Sequence, residues 1–300
     1  MKTKLINLIK VSFFTLFCTI LSAQELTIYI LPSPVDRKWE SPSELIGSTI
    51  KNIIYPENYK KRILGHVFIK LSKGDESYIT GSSAAPDVNL KNLVIKNGYG
   101  LGILNADIKG QLESKEKLSY ELAMRYKHGN ISFLRFKISD EVYERLETYL
   151  VEYEKREYDK IYNGENKPRE GKGAGCSAFA VSFLEVAGFL QEAWKKEWMV
   201  EAKVPSTLIG GKLIEYKVGI LKIFRNRSWA KKNEAYVETC FYDPNAMHKW
   251  VLGHFKKKTN DEARILKTNK AIGLEFDFSD RDCPKEAIFI QTDDLVVASQ

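Results

Sequence analysis

Apolar and polar residues alternate through LTIYI (Leu26 to Ile30), HVFIKL (His66 to Leu71) and the stretch Ile131 to Ile138. This two-residue period is that of strands with a buried face. Lys73-Gly74-Asp75 reads as a tight turn after the second of these, with Ser77 to Ser82 as its antiparallel return, so His66 opens a hairpin. A helical period replaces the alternation from Asp140 to about Asp159, where Val142, Leu146, Leu150 and Tyr153 fall on one face and charges elsewhere, behind a capping Ser139. Ser41, Pro42 and Glu44 mark another helix start, as cap, first turn and capping-box partner. Ser114 to Lys127 also reads as helix, and a further one begins near Asp243-Pro244, carrying Met247, Trp250, Val251 and Phe255. The Gly- and Asn-punctuated section from Asp87 to Gln111 is assigned only loosely, and no internal repeat is found. The densest apolar segment, CSAFAVSFLEVAGFL (Cys176 to Leu190), follows the polar, Gly-rich loop NGENKPREGKGAG and predicts a helix buried on most sides, with Gly188 as a natural end.

The first residues change the picture of compartment. Lys2, Lys4 and Lys10 precede an apolar run, Val11 to Leu21, that ends at Ser22-Ala23, the layout of a secretory signal peptide cleaved after Ala23. The run falls short of the roughly 20 residues of a membrane span. Phe17, just before Cys18, stands where a lipidation site wants a small residue. The chain is therefore expected to be exported, to a periplasmic or secreted location. Removing residues 1–23 lowers the formal charge from +7 to +4. Such a mild excess suits peripheral contact with anionic envelope polymers or lipid head groups and lacks the basic stripe of a nucleic-acid binder, so nucleic acid is not an expected partner. The segment IFRNRSWAKK (Ile223 to Lys232) reads as a solvated hairpin that carries phosphate contact only as a second reading.

Three cysteines remain beyond the leader: Cys176, Cys240 and Cys283. No CxxC or Cys/His ligand spacing is present, so neither a metal nor any other cofactor is expected. A Cys240–Cys283 disulfide would leave Cys176 free. Cys176 stands at the start of its helix, where unpaired amides lower a thiol pKa, and Gly171, Gly173 and Gly175 let the backbone approach a substrate and present amides to an oxyanion. The alternative is a buried, inert thiol at the head of a core helix. Of the four histidines, His128 follows a helix in a KHG turn, and His248 and His254 are six apart, a spacing that shares no helix face. His66, heading a strand after Gly65, is the best-placed base. A group orienting its imidazole is expected from the return strand, where Tyr78, Thr80 and Ser82 share a face and none is a carboxylate.

GHVFIKL with its leading histidine, the return strand, the long helix and then GAGCSAFAVSFLEVAGF together resemble the circularly permuted branch of the NlpC/P60 superfamily, a papain-like group in which the histidine strand precedes the cysteine helix. The resemblance spans about residues 60 to 190. It implies Cys176 as nucleophile and His66 as general base and acid, and points to Thr80 as the orienting group. Gly173, Gly175 and Ser177 are expected in the substrate groove.

The fold expected is α+β: an antiparallel sheet of about five strands packed against the nucleophile helix, in a domain over residues 24–205, with residues 206–300 as a C-terminal extension of unknown fold. The function expected is a cysteine hydrolase cleaving an amide in a cell-wall peptide or peptide-like substrate. Two alternatives stand beside it: hydrolysis of a lipid-derived ester or amide, and an envelope ligand-binding module that keeps the fold without its orienting residue. A structural role for the envelope would rest on the last hundred residues, where nothing argues for it.

Overall fold

The strand alternation is realised in a central sheet that is buried on both faces. The computed structural model describes residues 24–55, 62–211, 216–257 and 262–291; the expected signal peptide lies outside them. In chain order the strands are β1 (Gln24–Leu31), β2 (His66–Lys73), β3 (Glu76–Thr80), β4 (Ser82–Ala84), β5 (Ile108–Leu112), β6 (Ser132–Ile138), β7 (Ile161–Tyr162), β8 (Met199–Pro205), β9 (Tyr236–Tyr242), β10 (Ala263–Thr268) and β11 (Ala271–Asp277). The helices are α1 (Pro42–Ile54), α2 (Leu90–Ile95), α3 (Lys115–His128), α4 (Asp140–Lys155), α5 (Cys176–Val186), α6 (Glu192–Trp198), α7 (Ile220–Arg225) and α8 (Pro244–Lys257). The protein is α+β, with a six-stranded main sheet in the order β10-β11-β6-β1-β2-β3.

That sheet is mixed rather than antiparallel: β11 runs parallel to β6, with Leu274 opposite Leu134, while the other pairs are antiparallel. The sixth position exists because the chain returns after α8 to lay the β10–β11 hairpin beside β6. The segment expected as a C-terminal extension thus supplies a third of the sheet. α8 also packs on β1, β6 and β11.

The period-2 pattern sorts the core. Leu26, Ile28, Ile30, Val67, Ile69, Leu71, Leu134 and Phe136 face one side, where α4, α5, α6 and α8 cover them. Tyr29, Leu31, Phe68 and Phe133 face the other, against Leu118 and Leu122 of α3. Each of the larger apolar side chains so buried contributes about 1.5–3 kcal/mol. A third cluster joins Leu45 of α1 to Ala202 and Val204 of β8 and Ile223 of α7.

The helix starts follow their caps: Ser41, Ser114 and Ser139 accept from the main-chain N–H of Glu44, Lys117 and Val142. Basic residues 223–232 do not form the expected hairpin. They begin within α7, and Trp229 anchors the following turn by donating from Nε1 to the Trp39 carbonyl at 2.6 Å. The Cys240–Cys283 disulfide is not formed, and all three cysteines are free thiols. Cys240 lies on β9 beside Glu201 and Glu238, whereas Cys283 lies beside Arg145 and Glu141 near α4.

Candidate active site

Helix α5 has no side-chain cap, and its N-cap is Gly175. Its buried run of Ala178, Phe179, Val181, Phe183 and Leu184 wedges it between β2 and α4. This wedge brings Cys176, the first residue of the helix, to the open end of β2, where His66 begins the strand. His66 shares the register of Phe68, which packs on the α3 side, while Val67 faces α5. The thiol and the groups on α3 therefore approach the imidazole from opposite layers.

Cys176 is half-buried. Burial alone raises a thiol pKa, but a hydrogen bond to His66, the charge of that imidazole, the Val67 N–H and the Ser177 hydroxyl outweigh it and bring the value down to about 7. Ser177 Oγ is 4.0 Å from Sγ. His66 is displaced the other way. Desolvation and the charge of Arg62 lower its pKa, yet the interactions with Cys176 and Glu113 prevail and the net shift is upward. An upward-shifted imidazole beside a downward-shifted thiol favours the thiolate–imidazolium pair.

The group behind the imidazole is Glu113. Its side chain is fully buried, and Oε2 lies 2.5 Å from His66 Nε2. The contact is close without being a linear N–H···O bond, so charge attraction carries it. The other carboxylate oxygen, Oε1, takes Arg62 at 3.0 Å and Lys117 at 2.7 Å. Arg62 is itself gripped by Glu121 of α3 at 2.6 Å. Burial pushes the Glu113 pKa up, but His66, Arg62 and Lys117 together hold it well below the usual carboxylate range.

Glu113 reaches the ring across Gly81. The Glu113 N–H donates to the Gly81 carbonyl at 2.8 Å, placing β5 one strand beyond the hairpin. A Cβ on Gly81 would stand 2.7 Å from Phe68 Cβ, so glycine is what lets the chain pass this close to β2 beside the imidazole. Thr80, expected to orient the imidazole, acts one step back. Its hydroxyl donates to the Glu113 main-chain carbonyl at 3.1 Å.

Tyr162 is a second residue the sequence did not reveal. It lies beside Cys176 and interacts with both the main chain and the side chain of that residue. Burial and the neighbouring thiolate drive the Tyr162 pKa far above its usual value, so it stays a donor. Of the expected groove residues, Gly175 is half-buried at the helix start, and Gly173 and Ser177 are buried. Gly173, at φ +96°, packs on the Asn163 amide, which leaves no room for a side chain. Asn163 in turn ties the loop together, donating to Asp107 Oδ1 at 2.7 Å and to the Lys172 carbonyl at 2.8 Å.

The remaining histidines are occupied elsewhere. His248 Nδ1 pairs with Ser132 Oγ at 2.8 Å, and burial lowers its pKa to about 4. His254 Nδ1 bonds the Trp250 carbonyl. Among the described residues, no group of three or more His, Cys, Asp and Glu is arranged to hold a metal. Comparison with protein-family models, curated proteins and solved structures finds no match for this chain.

Proposed function

We propose that the protein is a cysteine hydrolase in which Cys176 attacks a carbonyl carbon, His66 moves the proton and Glu113 orients the imidazole. The observation that carries this reading is the continuous line from a helix-start thiol to an imidazole to a buried carboxylate, with both pKa displacements favouring the ion pair. The Cys176 thiolate forms a bond to the acyl carbon. His66 delivers its proton to the leaving nitrogen, and the C–N bond breaks. Water, deprotonated by His66, then adds to the thioester and releases the acid with the thiol regenerated. The Tyr162 hydroxyl, beside Cys176 and kept protonated, is a donor available to the carbonyl oxygen as charge develops there.

A histidine strand that precedes the cysteine helix, on a mixed α+β fold, is consistent with the permuted papain-like arrangement and its relatives of NlpC/P60 type. On that reading, and with a leader directing export, the substrate class is an amide in a cell-wall peptide or similar peptide, met in the periplasm or outside the cell. The Glu113 carboxylate beside His66 favours a hydrolase over a non-catalytic binding module on the same fold. The test is turnover. Wild type and Cys176→Ser are incubated with cell-wall peptide digests and with acylated lipids, and newly released amines and acids are followed by mass spectrometry. New amines from the peptides, absent with Cys176→Ser, support the reading. Release from the lipid ester alone moves the substrate class, and identical products from both proteins reject the hydrolase.

A further inference from the structure

The nucleophile helix is held at both ends by the same distant segment, residues 283–291. At the start, the loop feeding Cys176 carries Arg169, whose Nε donates to the Ile288 carbonyl at 2.9 Å and whose Nη2 donates to the Ala287 carbonyl at 2.7 Å. The Ile290 N–H donates back to the Arg169 carbonyl at 2.9 Å, closing a reciprocal clamp. At the far end, Arg145 of α4 donates from Nε to the Val186 carbonyl, the last residue of α5, at 2.8 Å, and from Nη2 to the Glu286 carbonyl at 2.6 Å. Pro284 lies over Gly188 just beyond.

Phe289 adds an independent, apolar route. It is 8% exposed and sits between Tyr149 (ring centroids 5.3 Å), Tyr158 (5.4 Å) and the Arg156 guanidinium (4.6 Å). Tyr149 meets Phe183 of α5 edge-on at 5.2 Å, and Tyr158 reaches Phe179 through Tyr153. Phe179 is one helical turn from Cys176. The buried face of α5 fixes it against β2 and α4, but its start has no side-chain cap. Main-chain carbonyls and an aromatic chain from the C-terminal segment meet the loop that enters the helix and the turn that leaves it.

We propose that residues 283–291 form a strap that sets the position of Cys176 against His66, with Arg169 and Phe289 as its positioning residues. This rests on the reading of Cys176 as an activated nucleophile. The guanidinium matters for its fork, which spans two carbonyls; a lysine ammonium keeps the charge and loses the fork.

The experiment is alkylation by iodoacetamide as a function of pH, quantified on the Cys176 peptide by mass spectrometry, for wild type, His66→Ala, Arg169→Ala, Arg169→Lys and Phe289→Ala. Circular dichroism and melting check the fold, and Phe289→Leu replaces Phe289→Ala if the latter does not fold. The expected midpoint in wild type is well below the free-thiol value of about 8.5 and rises in His66→Ala. In both Arg169 variants and the Phe289 variant it rises enough to cut the thiol ionisation constant about threefold or more. Wild-type midpoints in these variants, with His66→Ala still displaced, overturn the strap and leave the hydrolase reading standing. A wild-type midpoint in Arg169→Lys alone shows that charge, not the clamp, acts, and also overturns it. A wild type that itself titrates near about 8.5 removes the activated nucleophile and the strap's role with it.

Discussion

Replacing Glu113 by glutamine keeps the shape of the side chain and removes one buried charge, which isolates what that charge does for the imidazole. The carboxylate stands 2.5 Å from Nε2, and an opposite charge at short range stabilises a protonated imidazole by about 1.4–4 kcal/mol. Arg62 remains in place because Glu121 still holds it at 2.6 Å, so its positive charge then opposes protonation of His66 without a counter-charge. The imidazolium fades and the thiolate loses its principal partner. The Cys176 midpoint is then expected to move from about 7 toward the free-thiol value of about 8.5. At pH 7 the thiolate fraction would fall from about half to about 3%, roughly 15-fold if activation is lost entirely. Alkylation rate understates this, because a thiolate of higher pKa is intrinsically more nucleophilic. The assay is therefore thiolate ultraviolet absorbance against pH, beside an NMR titration of the His66 ring proton. A Glu113→Gln protein whose His66 and Cys176 both titrate as in wild type refutes the orienting role.

Four further outcomes follow from the same contacts. Because the Glu113 pKa is depressed in the fold, its stabilising contribution is present above the unfolded carboxylate value of about 4.3 and is lost as pH falls through the folded one; urea unfolding across that acid range should steepen in wild type and flatten in Glu113→Gln. His66 contributes in the opposite sense: raised in the fold, its share is complete below about 6.5 and disappears as pH climbs through the folded value, a loss that His66→Ala should abolish. Gly81→Ala places a Cβ 2.7 Å from Phe68 Cβ and should cost about 1–3 kcal/mol in chemical denaturation, with slower Cys176 alkylation at pH 7; an unchanged midpoint of unfolding argues against the tight crossing. Thr80→Val should cost about 0.5–1.5 kcal/mol by removing the bond to the Glu113 carbonyl, while leaving the Cys176 titration near wild type. A large displacement there would return Thr80 to the role of direct partner.

The hairpin, the capped helices and the helix-start cysteine were legible because each is a local signal: a two-residue period, a serine three residues before its N–H partner, an apolar helix after a glycine-rich loop. His66 was legible by elimination among four histidines. Glu113 was not, because sequence adjacency points to the strand next to His66, and that strand passes the ring with Gly81 and no side chain. The carboxylate comes from one strand further, and its only local feature is that it precedes the cap Ser114. Tyr162 hides in a two-residue strand whose pairing, Tyr162 opposite Ile108, has no periodic trace. The sixth strand was missed for a related reason: the parallel match of β11 to β6 joins residues about 140 apart, and no spacing rule reaches that far.

The direct measurement of the central claim is intact-mass detection of an acyl-enzyme at pH 7. Wild type, Cys176→Ser and His66→Ala are each mixed with an activated ester, and the site of any adduct is mapped. One acyl group on Cys176 in wild type is expected, forming much more slowly in His66→Ala and not at all on residue 176 in Cys176→Ser. An adduct that forms equally fast without His66, or a wild-type Cys176 that never acylates, contradicts the account.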